Sequence, residues 1–385
     1  MSIRGRAFIA GAFEHPGRRL PDISVAQIHA EAALGAVADA GLSLDDVDGL
    51  FTGRDAPGAG GLSLADYLGL RGLRYLDSTE SGGASPLYHV GHAAAAIALG
   101  KCSIALVTLA GKARGHAFGG PSLPEDPFET VFGARPPLAS YALAAQRHMY
   151  EFGTTSEQLA AVKVAASVHA QHNPHAFLRK QLTVADVLAS PLVADPLHRD
   201  DCCVVTDGGG AVVVVSPEVA ATLPRQSVKL LGHGEAVRHS NGGKVDVTVT
   251  AAAAAGPAAL REAGVTPADI DYASLYDSFT IAVIEQLEDL GFCAKGEGGP
   301  FAADGGLIAP YGRLPFNTDG GGLCNNHPAN RGGITKTIEA VRQLRGEANP
   351  GVQVPGCELA LVSAIGGDLA ARMRSAVLVL GREDA

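Results

Sequence analysis

The chain has 385 residues, more than one ordinary domain, so two domain-sized units or one large duplicated fold are expected. Its apolar share of 46% is enough for a full core, but it has no tryptophan, only 5% aromatics and 49 glycines, and small residues of that kind suit close helix packing and tight turns. The formal net charge of −10, with no basic block, argues against a nucleic-acid surface, which needs clustered Lys and Arg.

The N-terminal stretch MSIRGRAFIAGAFEHPGRR is too interrupted by charge for a signal peptide, and no apolar run reaches the roughly 20 residues needed to cross a bilayer. A cytoplasmic chain without a membrane span is expected. Cys102, Cys202, Cys203, Cys293, Cys324 and Cys357 show no metal-ligand spacing and are expected as free thiols.

In chain order, Ala36–Asp48 reads as a helix end, a Gly41 stop, a Ser43 start, a short helical turn and a strand. Ser81-Gly-Gly83-Ala-Ser85-Pro opens a helix over His89–Leu99, with the serines expected as caps. An apolar strand, Ile104–Leu109, follows. Residues 111–200 read as an insertion over a cleft: a Pro/Gly-rich loop (111–136), then helices over Ser140–Phe152 and Ser156–Gln171. His169, His172 and His175 are three apart, but Pro174 interrupts the row, so a solvated or ligand-facing helix end is expected and no metal site. Asp207 is expected to hold a turn. Gly208-Gly-Gly210 is placed ahead of strand Ala211–Val215 and so forms no phosphate loop. Ala259–Asp271 repeats Ala36–Asp48 at a separation of 223 residues. A strand over Ile270–Leu275 leads into Tyr276, and a glycine-rich turn leads into Asn325-Asn326-His327-Pro328. A helix over Gly333–Leu344 and a strand over Leu359–Val362 close the order.

Cys102–Gly111 also resembles Cys357–Gly366, at a separation of 255. Two repeats in one order indicate an internal duplication. The uninterrupted apolar strands indicate sheets covered on both faces. The fold class expected is therefore α/β, two similar halves (1–240 and 241–385) in layers α/β/α/β/α.

Five stretches carry a resemblance: Phe152-Gly-Thr-Thr-Ser-Glu-Gln-Leu159 with Asn173-Pro174, Asp201-Cys-Cys-Val-Val-Thr-Asp207-Gly-Gly-Gly-Ala211, Tyr276-Asp-Ser-Phe279, Gly320-Gly-Gly-Leu-Cys-Asn-Asn-His327-Pro328, and Ala364-Ile-Gly-Gly367. In this order the chain resembles the thiolase superfamily, most closely its sterol-carrier-protein-type branch. By that resemblance Gly83 stands where the family has its nucleophilic cysteine and Ala364 where it has its second cysteine. His327 is the His-Pro histidine, and Tyr276 replaces an Asn or His that holds a water. A glycine forms no thioester, so covalent acyl transfer by the usual route is closed.

Tyr276 is similar to the tyrosine of thiolase-like retro-aldolases, which cut a β-hydroxyacyl-CoA without an acyl-enzyme; those carry a second tyrosine where this chain has His327. The resemblance implies an acyl-CoA substrate, coenzyme A only as part of it, no permanently bound cofactor or metal, a homodimer, and a small OB-fold/zinc-ribbon partner protein. The catalytic candidates are Tyr276, as a base whose pKa neighbours would lower, and His327, as an acid or oxyanion donor; packing roles remain the alternative for each. Asp277 is expected to cap the following helix or orient Tyr276, and Cys324 is the candidate replacement thiol. Cys202 and Cys203 are expected as buried structural thiols. A retro-aldol lyase, a non-catalytic thiolase-shaped subunit and an acyltransferase with a non-standard thiol are the three functions left open.

Overall fold

The computed structural model of the chain describes residues 2–115, 132–133, 137–239, 244–367 and 372–383. Most of the Pro/Gly-rich loop expected at 111–136 lies outside the described residues. Where the repeat was read, the local chemistry agrees. Helix α1 (Val25–Asp39) stops at Gly41 with φ 73°, and the Asp46 carboxylate accepts the Ser43 N–H at 2.8 Å before strand β2 (Gly49–Thr52). Helix α6 (Ala252–Ala263) stops at Gly264 with φ 71°, and Asp269 accepts the Thr266 N–H at 2.8 Å before β9 (Tyr272–Leu275). The helix numbering counts α2 (Leu62–Leu68), α3 (Ser85–Ala98), α4 (Leu138–Phe152), α5 (Ser156–Ala170), α7 (Thr280–Asp289) and α8 (Gly333–Arg345).

The remaining strands are β1 (Phe8–Glu14), β3 (Tyr75–Asp77), β4 (Ile104–Lys112), β7 (Asp207–Val215), β8 (Val228–Arg238), β10 (Leu359–Gly367) and β11 (Met373–Gly381), with β5 (Leu192–Ala194) and β6 (Leu197–His198) forming a separate hairpin. The order β3-β2-β4-β7-β1-β8-β11-β10-β9 shows the duplication directly. β2 runs parallel to β4 as β9 does to β10; β4 is antiparallel to β7 as β10 is to β11; β7 is antiparallel to β1 as β11 is to β8. The halves meet edge to edge through Phe8 opposite Lys229 and Ile9 opposite Val228, a join that the strand pattern alone does not announce. α3 and α8 lie between the two half-sheets and touch both, while α1 covers one outer face and α6 the other. This is the expected α/β/α/β/α layering. Since β8 pairs with β11 along its length, we propose that the halves divide before β8 and not at 240/241.

Small residues set the layer spacing. A side chain on Gly11 of β1 would run into the Ala36 carbonyl oxygen of α1, and one on Gly232 of β8 into the Ala259 carbonyl oxygen of α6. Three expectations are corrected. Gly208–Gly210 lie inside β7, where Gly209 packs so closely on Ala110 of β4 that a Cβ would approach its Cα to 2.7 Å. Asp207 therefore opens the strand, and its carboxylate accepts the Leu20 N–H at 2.9 Å and the Arg114 N–H at 3.0 Å. His169 is fully buried on α5 and accepts the Ala309 N–H at 2.8 Å, because that helix face packs into the core rather than toward solvent. Among the described residues no helix is long and apolar enough to cross a membrane, and no cluster of three metal-ligating side chains occurs.

Overpacking against a backbone carbonyl has no side chain to yield. Gly232→Ala is expected to cost about 1–3 kcal/mol, read as a lower urea midpoint at unchanged slope.

Candidate active site

Tyr276 leaves the end of β9 with its backbone fixed at both ends. Its N–H donates to the Ser363 carbonyl at 2.9 Å, and its carbonyl accepts from Gln286 Nε2 at 2.8 Å. His327 leaves a wide helical turn over Gly321–Asn325. That turn is held from several sides. Asp277 accepts the N–H of Gly322 at 2.8 Å and of Leu323 at 3.2 Å, and Asp319 accepts the N–H of Gly321 at 2.9 Å. Asn325 accepts from Arg18 Nη2 at 2.8 Å, Asn326 donates to Glu14 at 2.9 Å, and Lys163 Nζ donates to the Leu323 carbonyl at 2.7 Å. The His327 N–H itself donates to Thr206 Oγ1 at 2.8 Å. The two predicted residues come together, with ring centroids 5.4 Å apart, in the wall of a cavity of about 480 Å³. Gly83, Tyr141, Cys203, Phe279 and Ile365 share that wall.

Asp277 does neither of the things expected of it. Its oxygens bond the glycine turn and Lys336 of α8, whose ammonium donates at 2.6 Å, and no side-chain cap forms at the start of α7. The pair is buried, with side-chain exposures of 2% for Lys336 and 0% for Asp277. Asp277 lies in the Tyr276–Phe279 stretch, but Lys336 lies in none of the five stretches, so no sequence signal joins the two positions.

Burial acts on both rings against their charged forms. Burial pushes the Tyr276 phenol well above the ordinary tyrosine range; Tyr141, Cys203 and Asp277 add to the rise and Arg331 opposes it. Burial also brings His327 down to about 4, with Asp277 opposing and Lys336 assisting. Neither ring nitrogen of His327 has a hydrogen-bond partner among the described residues. At neutral pH the site therefore holds a phenol that keeps its proton and an imidazole with a free lone pair.

Among the described residues Cys324, Ser81 and Ser85 do not line this cavity. Cys324 is buried, its thiol is pushed up by burial, and it lines a neighbouring cavity together with Lys163 and Phe177. Cys203 does reach the site, a contact not expected of it, but burial pushes its thiol up as well. Ser85 is a turn acceptor rather than a helix cap, taking the Ser81 N–H at 2.8 Å, while Ser81 Oγ accepts from Arg374 at 3.2 Å. The glycine at 83 has a steric cause: a Cβ there would stand 2.5 Å from Tyr276 Cζ and 2.6 Å from its hydroxyl oxygen.

A family model described as Thiolase C-terminal domain-like matches residues 234–382. The chain is 35% identical over 381 residues to the 17-hydroxy-3-oxo-4-pregnene-20-carboxyl-CoA lyase of Mycobacterium tuberculosis, covering 94% of this chain and 97% of that protein. It is 34% identical over 364 residues to an acetyl-CoA acetyltransferase of Methanothermobacter thermautotrophicus, covering 90% and 92%. The solved Ltp2-ChsH2(DUF35) aldolase superposes with a TM-score of 0.89 at 34% identity, covering 99% of each chain.

Lys336→Met would leave the Asp277 carboxylate buried with its cationic partner gone. Breaking one side of such a pair costs about 3–5 kcal/mol. The expected outcome is a large drop in the urea midpoint; an unchanged midpoint would mean that the glycine turn alone carries Asp277.

Proposed function

Since the chain belongs to the thiolase superfamily, in its sterol-carrier-protein-thiolase-like and retro-aldolase branch, we propose that it is a lyase that splits a β-hydroxyacyl-CoA by retro-aldol chemistry without an acyl-enzyme. The observation that supports this most is the Tyr276 phenol standing in the volume that a side chain at Gly83 would need. In that reading neutral His327 accepts the proton of the substrate β-hydroxyl. The Cα–Cβ bond breaks as the β-carbon becomes a carbonyl, and its electron pair passes into the thioester as an enolate. The protonated Tyr276 donates a hydrogen bond to the enolate oxygen, where charge collects. The proton held on His327 returns to the α-carbon, so no water or outside acid is consumed.

Coenzyme A enters as part of the substrate. The solved structure named as an Ltp2-ChsH2(DUF35) aldolase supports a second subunit for this chain too, in our reading the small OB-fold/zinc-ribbon protein; a homodimer of the chain itself is proposed from the family resemblance alone. The test is to incubate the chain, alone and with such a subunit, with β-hydroxyacyl-CoA, and separately with β-ketoacyl-CoA plus free coenzyme A, and to read products and intact protein by mass spectrometry. Cleavage of the β-hydroxyacyl-CoA to a shorter acyl-CoA, with no adduct on the protein, is expected. Thiolysis of the β-ketoacyl-CoA with an acyl adduct on Cys203 or Cys324 would replace this reading with the acyltransferase one; no turnover of either would leave a non-catalytic subunit.

On a turned-over substrate, His327→Ala is expected to lower kcat by about 100- to 10,000-fold through loss of the proton acceptor. Tyr276→Phe is expected to lower it by about 100- to 1,000-fold through loss of one donor. The pH profile gives the sign. An acceptor with its pKa lowered to about 4 is active when deprotonated, so kcat/KM should stay level from pH 6 to 9 and fall only toward pH 4. An acid limb centred near 6.5 would contradict the assignment.

A further inference from the structure

Beside the active-site cavity lies a second one, of about 700 Å³, and its charges do not balance. Arg199, Cys202 and Cys203 line both cavities, so one segment divides them. Another side is formed on the turn that leads to His327: Phe177 and Leu178 donate their N–H groups to the Asn325 and Cys324 carbonyls at 3.2 and 2.8 Å, and both line the cavity. Two cations of the wall are matched. Lys180 stands 3.9 Å from Asp186, and Arg199 donates to Asp200 at 3.0 Å.

Three further cations are not. Lys163 of α5 lines the cavity and is 1% exposed, yet its ammonium pairs with no carboxylate among the described residues. Its partners are the Leu323 carbonyl, at 2.7 Å, and the Cys324 thiol. A buried charge is ordinarily paired, so this one leaves positive potential in the wall. Arg19 and Arg114 are exposed and stand over the Phe177 ring, each 5.2 Å from its centre and so at most twice that distance apart. Neither guanidinium has a carboxylate partner among the described residues. Arg114 Nη1 donates to the Val205 carbonyl at 2.9 Å, and the carboxylate of Asp207 takes backbone N–H groups instead, those of Arg114 and Leu20. In a chain of net charge −10 this excess is local. Three unmatched positive charges call for a polyvalent anion, and guanidinium forks fit phosphate oxygens. We propose that this cavity binds a phosphate-bearing ligand, with Arg19 and Arg114 taking its phosphates at the rim and the Lys163 charge drawing it inward. Two sources share that chemistry: the nucleotide end of a coenzyme A thioester, which rests on the lyase reading above, and a free diphosphate, which does not.

The probes are inorganic pyrophosphate, coenzyme A, and pantetheine, which is the arm of coenzyme A without its phosphates. Each is titrated into the full chain by calorimetry. The parent should bind pyrophosphate, more weakly as salt rises. The double variant Arg19→Gln/Arg114→Gln should bind it about 10- to 100-fold more weakly, with the melting temperature of the free chain unchanged because both side chains are exposed. Lys163→Met keeps the stem, removes the charge and should weaken binding about 3- to 10-fold; should it not fold, the arginine pair still decides. If the double variant weakens coenzyme A equally and leaves pantetheine unchanged, the phosphates are those of the substrate. If coenzyme A is unaffected and pyrophosphate still binds beside it, the site takes a free ligand. Either result supports the site. A parent that binds neither phosphate probe overturns the proposal, and so does a double variant within about twofold of the parent for both. Pyrophosphate binding requires no turnover, so the site and the lyase reading stand or fall separately.

Discussion

One buried carboxylate sets the geometry on which the site depends. Asp277 follows Tyr276 at the end of β9, and its two oxygens gather the Gly322 and Leu323 N–H groups and the Lys336 ammonium. It thereby ties a strand of the second half-sheet, the turn that carries His327 and the central helix α8 into one unit. The turn must be glycine for the carboxylate to reach it. Gly321 has φ 61°, and a Cβ on Gly322 would sit 3.0 Å from both Asp277 Oδ1 and His327 Cδ2. Such a buried pair is weak evidence for added stability, because desolvation offsets much of the attraction. Its contribution is to register: it fixes how far the two catalytic candidates stand apart.

With the Asp277 charge spent on the turn and Lys336, Tyr276 and His327 themselves stay uncharged. The same burial acts on the two groups in opposite chemical senses, since it disfavours whichever form is charged. The phenol keeps its proton and the imidazole sheds one. In a cavity of low polarity, fixed neutral donors and acceptors interact strongly with charge that develops during a reaction and need little reorganisation to do so. A thiolate would need the reverse, an environment that favours the anion. Cys202, at about 12, and Cys203 are both pushed the other way.

The duplication was legible because its signals are local. A glycine stop, a Ser or Thr start and an aspartate three residues on are written within single short segments, and they recur at Gly41–Asp46 and Gly264–Asp269. The positions of Tyr276 and His327 were legible from their motifs. The direction in which their pKa values move was not, because it depends on burial contributed by segments far away in the chain. Asp277 and Lys336 lie on separate elements and give no mutual pattern. Tyr141 sits on an inserted helix whose cavity-facing side is set by tertiary packing, its ring stacking on Phe279, and the strand pattern of β1 and β8 is silent on their meeting at one edge. His169 was misread because a histidine row at a helix end looks the same whether that face meets water or core.

The relation between Gly83 and Tyr276 turns the choice of chemistry into a packing constraint. The scaffold brings the start of α3 and the end of β9 so close that a side chain on the first and a phenol on the second compete for the same volume. A cysteine at 83 without a change at 276 would be overpacked in a wall that also contains backbone, the Ile365 carbonyl among it, and close-packed interiors tolerate such insertions poorly. The bare glycine at 83 and the tyrosine at 276 are therefore tied together by packing. The chain cannot hold both, so a covalent route through residue 83 and a phenol donor at 276 exclude each other while the backbone around them stays where it is.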